Sequence, residues 1–92
     1  MLTIERVEQG RDTRTVFVEL HSHLGTIEPR HLELTSFRGN DVEVYERDAD
    51  SIYIFVCHLS KMDKTAARPL ARVWKAGMRK LGVAPVARGL WP

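Results

Sequence analysis

The sequence predicts an α+β fold in which an antiparallel meander of four to five strands packs on one C-terminal amphipathic helix. Over residues 1–60, short runs alternate apolar with polar residues and are separated by turn signals such as Arg38-Gly39-Asn40-Asp41. Alternation with a period of two is typical of half-buried strands, and short strands joined by tight turns favour a meander over βαβ units. Ninety-two residues provide one hydrophobic core, so we expect residues 1–92 to form a single domain.

The strands follow one another along the acidic part of the chain, and the last one differs from the others. Ile52, Ile54 and Val56 lie on one face, while Tyr53, Phe55 and Cys57 lie on the other, so this strand is apolar on both sides. That composition is typical of a strand inside a sheet, covered on both faces. The five strands are expected over residues 2–8, 15–21, 31–35, 42–45 and 52–59.

The apolar period changes to that of a helix after residue 64. Pro69 suits a first helical turn and breaks a helix interior, so we expect the helix to begin between residues 65 and 68, or to bend at the proline. Gly82 occupies the position of a left-handed C-cap. The segment 64–82 is therefore predicted to be a basic amphipathic helix, followed by an extended tail over 83–92. The apolar stripe consists of Leu70, Val73, Trp74, Gly77, Met78 and Leu81.

The net charge of +2 conceals a separation of charge along the chain. Residues 1–60 contain eleven acidic residues and six arginines, whereas residues 61–92 contain eight basic residues and one acid, Asp63. Such a division between two parts of one domain indicates an electrostatic interaction, either within the molecule or with a partner.

Five cations of the predicted helix share one face, opposite Leu70, Val73 and Trp74. At 100° per residue they fall within about 80° of one another. No acid lies among them to form ion pairs one turn apart, and their mutual repulsion is tolerated more readily if an anion binds. The alternative is an ordinary solvated helix face. This basic stripe consists of Lys64, Arg68, Arg72, Lys75 and Arg79.

The second face of the sheet is predicted to be aromatic and acidic. Its glutamates would repel phosphates and no basic residues are expected around its rings, so a protein is a better partner for it than RNA. Cross-strand pairing that only stabilises the sheet is the alternative account of the aromatic residues. The predicted protein-partner face consists of Phe17, Glu19, Glu33, Tyr45, Tyr53 and Phe55.

Catalytic, cofactor and metal motifs are missing from the sequence. It contains no nucleophile elbow, phosphate-binding glycine loop or zinc-protease helix, and the spacing of its histidines does not match a zinc site. Cys57 is the single cysteine and suits a reducing compartment. With no signal peptide and no apolar run long enough to span a membrane, the sequence predicts a cytoplasmic, non-enzymatic protein without cofactor, metal or small-molecule substrate.

In its size and in the charge split between residues 1–60 and 61–92, the chain resembles small phage-encoded inhibitors such as the anti-CRISPR proteins. The resemblance implies a protein that docks on a nucleoprotein complex, with the basic face in a nucleic-acid site and the acidic face against protein. A direct, sequence-nonspecific DNA- or RNA-binding module is the second possibility. A homo-oligomeric structural subunit, in which the basic helix meets an acidic sheet, is the third.

Overall fold

A computed structural model describes residues 1–22 and 28–85 of the chain. It confirms the predicted α+β class: five antiparallel strands form one meander in the order β1-β2-β3-β4-β5, and one helix packs against the sheet. The predicted strand positions match the observed elements. The elements are β1 (Leu2–Gln9), β2 (Thr13–Leu20), β3 (Arg30–Phe37), β4 (Glu43–Arg47), β5 (Tyr53–His58), a 3-10 turn (Leu59–Lys61) and α1 (Lys64–Leu81).

Two β-bulges interrupt an otherwise regular pairing of neighbouring strands. Glu5 is the extra residue in β1, because Ile4 pairs with Val18 and Arg6 pairs with Phe17. Val56 is the extra residue in β5, because Val44 pairs with Cys57 and Tyr45 pairs with Phe55. A bulge turns the side chains around it and increases the local twist of the strand. Both bulges lie in the outermost strands of the sheet.

Helix α1 begins at Lys64, one residue before the predicted range, because Asp63 serves as its N-cap. The Asp63 carboxylate accepts a hydrogen bond from the backbone N–H of Thr65 at 3.1 Å. Pro69 lies in the second helical turn rather than the first and is exposed to solvent. Gly82 has a φ of 73° and, as predicted, ends the helix in the left-handed conformation.

The core lies between α1 and the inner faces of the strands. Trp74 and Met78 of the helix are fully buried against Val16, Val18 and other strand residues. The helix lies closest to β1 and β2, and Gly77 is the residue that permits this approach. A Cβ atom at Gly77 would lie 2.4 Å from the Cγ2 atom of Val16.

The predicted interior position of β5 is wrong, since β5 is an edge strand of the sheet. Ile52, Ile54 and Val56, which were expected to be covered, are exposed. These side chains are uncovered because β5 lies at the edge of the sheet and the helix packs nearest to β1 and β2. In the predicted tail, Val83 packs against the core, and residues 86–92, including Trp91, lie outside the described residues.

Candidate functional site

The basic stripe forms a continuous row on the solvent side of α1. Lys64, Arg68, Arg72 and Arg79 are exposed, and Lys75 is half-buried. The stripe was predicted to lie opposite the apolar residues, but the buried side of the helix also includes Ala67 and Ala71 and is centred on Trp74. At 100° per residue, the stripe therefore lies about 120° around the helix from the centre of the buried side.

Three of the six arginines in residues 1–60 (Arg6, Arg30 and Arg38) are paired with acids, whereas no cation of the stripe is paired within the described residues. Arg30 forms an ion pair with Glu46 at 2.6 Å, and Arg6 pairs with Glu8 at 2.9 Å. The Arg30 guanidinium and its hydrogen bonds lower the pKa of Glu46. Within residues 1–22 and 28–85, no stripe cation has an acidic partner at ion-pair distance. The positive charge of the helix is thus available to an external anion.

An apolar groove of about 600 Å³ runs between α1 and one end of the sheet. Arg72 of the stripe lines it, together with Pro69 and Val73 of the same helix. Arg30 and Glu46 contribute an ion pair to its lining. Sequence reasoning missed this groove, because its sheet side is assembled from the ends of all five strands. The apolar strand residues that line it are Leu2, Leu20, Leu32, Val44 and Val56.

The aromatic residues of the second face pack on one another across the strands. Phe17 and Tyr53 make an edge contact with ring centroids 6.0 Å apart, and Tyr45 and Phe55 do so at 5.6 Å. The guanidinium of Arg6 lies 3.8 Å from the Phe17 ring, contrary to the expectation that no basic residue would approach these rings. These contacts favour the sheet-stabilising account of the aromatic residues.

The residues of the predicted protein-partner face differ in their exposure to solvent. Phe17 is buried, Phe55 is exposed, and Glu19, Glu33, Tyr45 and Tyr53 are half-buried. Burial raises the pKa of the Glu33 carboxyl, and it likewise raises the pKa of both tyrosines. Phe55, at the edge of the sheet, is therefore the most accessible aromatic member of this face.

One cluster of possible metal ligands lies where β1, β2 and β3 adjoin. Within the described part of the chain, Glu5, Glu19 and His31 are the group whose ligand atoms all lie within 4.8 Å of one another. Glu5 reaches His31 with an Oε1–Nδ1 distance of 2.6 Å, and Glu19 pairs with His21 at 3.0 Å. These polar contacts account for the convergence of the side chains. The predicted absence of a metal stays a prediction.

Cys57 and His58 do not form a nucleophile–base pair, because neighbours on a strand point to opposite faces. Cys57 packs against the core, while the His58 ring contacts Phe55 with centroids 5.3 Å apart.

Across residues 1–22 and 28–85, no helix has the length and apolar character needed to span a membrane. No family model, curated protein or solved structure matches this chain.

Proposed function

We propose that this chain is a non-enzymatic, cytoplasmic docking protein that binds a nucleoprotein complex through the basic stripe of α1. Its mode of action would be that of the small phage-encoded inhibitors that it resembles in size and charge separation. The observation that supports the proposal most directly is that none of the five stripe cations has an acidic partner among the described residues, while three of the six arginines in residues 1–60 do.

The dimensions of the stripe suit a phosphate backbone. From Lys64 to Arg79 it extends about 22 Å at 1.5 Å per residue. Duplex DNA carries one charge per about 1.7 Å of its axis, so several phosphates come within reach of five long side chains. Because the stripe displays no acid, it repels none of them. Contacts of this kind position a protein on nucleic acid without reading its sequence.

The groove beside the stripe supplies the contact for the protein component of the complex. Arg72 belongs to both surfaces, so an apolar side chain seated against Val73 would lie next to a phosphate held by Arg72. An interface that combines an apolar centre with a charged border is typical of specific docking. This arrangement favours a nucleoprotein over free nucleic acid as the target.

The test is fluorescence polarisation with generic duplex DNA, generic RNA and a purified guide-loaded RNA-guided nuclease as probes. The wild type is compared with the stripe variant Arg72→Glu/Lys75→Glu/Arg79→Glu. The matched control Arg11→Glu/Arg38→Glu/Arg47→Glu makes the same change of charge on exposed arginines outside the helix. Five phosphate contacts predict a slope of about −4.5 in log K against log salt for duplex DNA.

We expect the nuclease complex to bind the wild type and the control variant and to lose affinity for the stripe variant. Equal binding of free DNA or RNA, with the steep salt dependence, would identify a direct nucleic-acid-binding module instead. Equal losses in both variants would show that only net charge matters. A wild type that binds none of the three probes at low salt would refute the proposal.

A further inference from the structure

The two edges of the sheet are chemically different. Strand β1 displays Glu5, Arg6 and Glu8 to solvent and has the helix packed against it. Both edge strands carry a bulge, so the two edges differ in their charge and in their cover. Charged side chains and bulges are the usual means by which a sheet edge is protected from pairing with another chain. Strand β5, over Tyr53–His58, contains no charged residue other than a titratable histidine, and it has no proline.

The side chains of β5 add an apolar surface to this unpaired edge. Ile52, which directly precedes β5, is 60% exposed, and Ile54, Phe55 and Val56 of β5 are 54%, 45% and 54% exposed. Together they account for four of the six exposed large hydrophobic residues in the described chain. Their exposure covers both faces of the sheet, because Phe55 lies on the aromatic face while Ile54 and Val56 lie on the helix side. A partner strand along β5 would cover apolar side chains on both faces at once.

The charges at the ends of β5 complement each other under two-fold symmetry. Asp50 lies in the turn before the strand, and Lys61 lies in the 3-10 turn after it, both exposed. When two copies of β5 run antiparallel about their centres, the acidic end of each strand lies beside the basic end of the other. A two-fold contact uses the same patch on both copies, so each favourable charge pair occurs twice.

We propose that β5 is a self-association site at which the β5 strands of two copies pair antiparallel and join two five-stranded sheets into one ten-stranded sheet. The contact centres on Phe55, which lies opposite its counterpart in the second copy. Six-residue strands bury a small area, so the dimer belongs with weak, reversible interfaces that form at micromolar concentrations. The pairing needs no nucleic acid and leaves the basic stripe of both copies accessible.

Sedimentation velocity over a wide range of protein concentration, without nucleic acid, tests this contact. The wild type should pass from the mass of one chain to that of two. Ile54→Lys places a charge on the edge and should weaken association by at least about tenfold. Thr3→Lys, an exposed position on the opposite edge strand β1, is the matched control and should associate as the wild type does.

Two further sets of variants locate the strand pair directly. Asp50→Lys and Lys61→Asp should each weaken the dimer by about two- to fivefold, and the double exchange should restore it. Phe55→Cys in a Cys57→Ser background should form a disulfide-linked dimer under mild oxidation, whereas Thr3→Cys in the same background should not.

Three results would overturn the proposal. They are a wild type that stays monomeric at every concentration, a dimer that Ile54→Lys leaves intact, and cross-linking that is equal at positions 3 and 55. If Ile54→Lys does not fold, the charge exchange and the cross-linking decide the outcome.

Discussion

The contact between α1 and β2 at Gly77 can be tested by adding one methyl group. A Cβ atom at this position would lie 2.4 Å from Val16 Cγ2 and 3.2 Å from Val7 Cγ1. Val16 is fully buried and its branched side chain has one preferred rotamer, so it has little freedom to move aside. Overpacking of this kind costs about 1–3 kcal/mol. Replacing a helical glycine by alanine stabilises the folded state by about 1 kcal/mol through helix propensity.

We therefore expect Gly77→Ala to lower the free energy of unfolding by up to about 2 kcal/mol, the difference between the cost of overpacking and the gain in helix propensity. For a domain of this size, the melting temperature should fall by up to roughly 10 °C. Urea unfolding followed by circular dichroism measures the change. Ala66→Gly, at an exposed position of the same helix, should lose about 1 kcal/mol and gives the propensity term alone.

The decisive comparison is the same substitution in a Val16→Ala background. There the closest contact is gone, so Gly77→Ala should stabilise the protein by up to about 1 kcal/mol, and its sign should reverse. If Gly77→Ala stabilises the wild type, or has the same effect in both backgrounds, the close approach of helix and strand is not what requires glycine.

Two further predictions concern the aromatic face of the sheet. Arg6→Ala should lower the urea midpoint of unfolding, because it removes the cation from the Phe17 ring and from Glu8, while a loss equal to that of Arg11→Ala would contradict a specific contact. Burial raises the pKa of Glu33 in the folded state. Between pH 4.5 and that raised pKa, the folded chain therefore binds more protons than the unfolded chain. The free energy of unfolding consequently falls as pH rises through this range. Glu33→Gln should therefore stabilise the protein at pH 7, and the gain should disappear in thermal melts below pH 4.5, whereas a gain that persists at low pH would exclude the carboxylate charge as its cause.

Local patterns in the sequence were sufficient for the elements and for the basic stripe. Alternation with a period of two located the first four strands, a short apolar run located the fifth, and Gly82 located the end of the helix. Spacing along a helix also determines which residues share a face, so the five stripe cations lie together as predicted. Pro69 moved the predicted helix start to residues 65–68, whereas Asp63 caps the helix more than one turn before the proline and the helix begins at Lys64.

The local patterns could not predict how elements that are distant in sequence are arranged relative to one another. The apolar composition of β5 is compatible with a strand buried in a sheet and with an edge that binds another chain, and only strand order distinguishes the two. The Arg6–Phe17 contact depends on the register between β1 and β2, which the bulge at Glu5 shifts by one residue. The groove depends on the direction in which α1 crosses the sheet. That direction depends in turn on the close contact between Gly77 of the helix and Val16 of β2.

The order of the elements along the chain also affects how the protein folds during its synthesis on the ribosome. Each strand pairs with its neighbour in sequence, so hairpins can form as soon as they are synthesised. The helix that covers the inner face of β1 and β2 comes last, and until residues 64–81 emerge that face stays exposed to water and to other nascent chains. Docking of α1 onto β1 brings together the first and the last of the described elements and is a long-range step of folding.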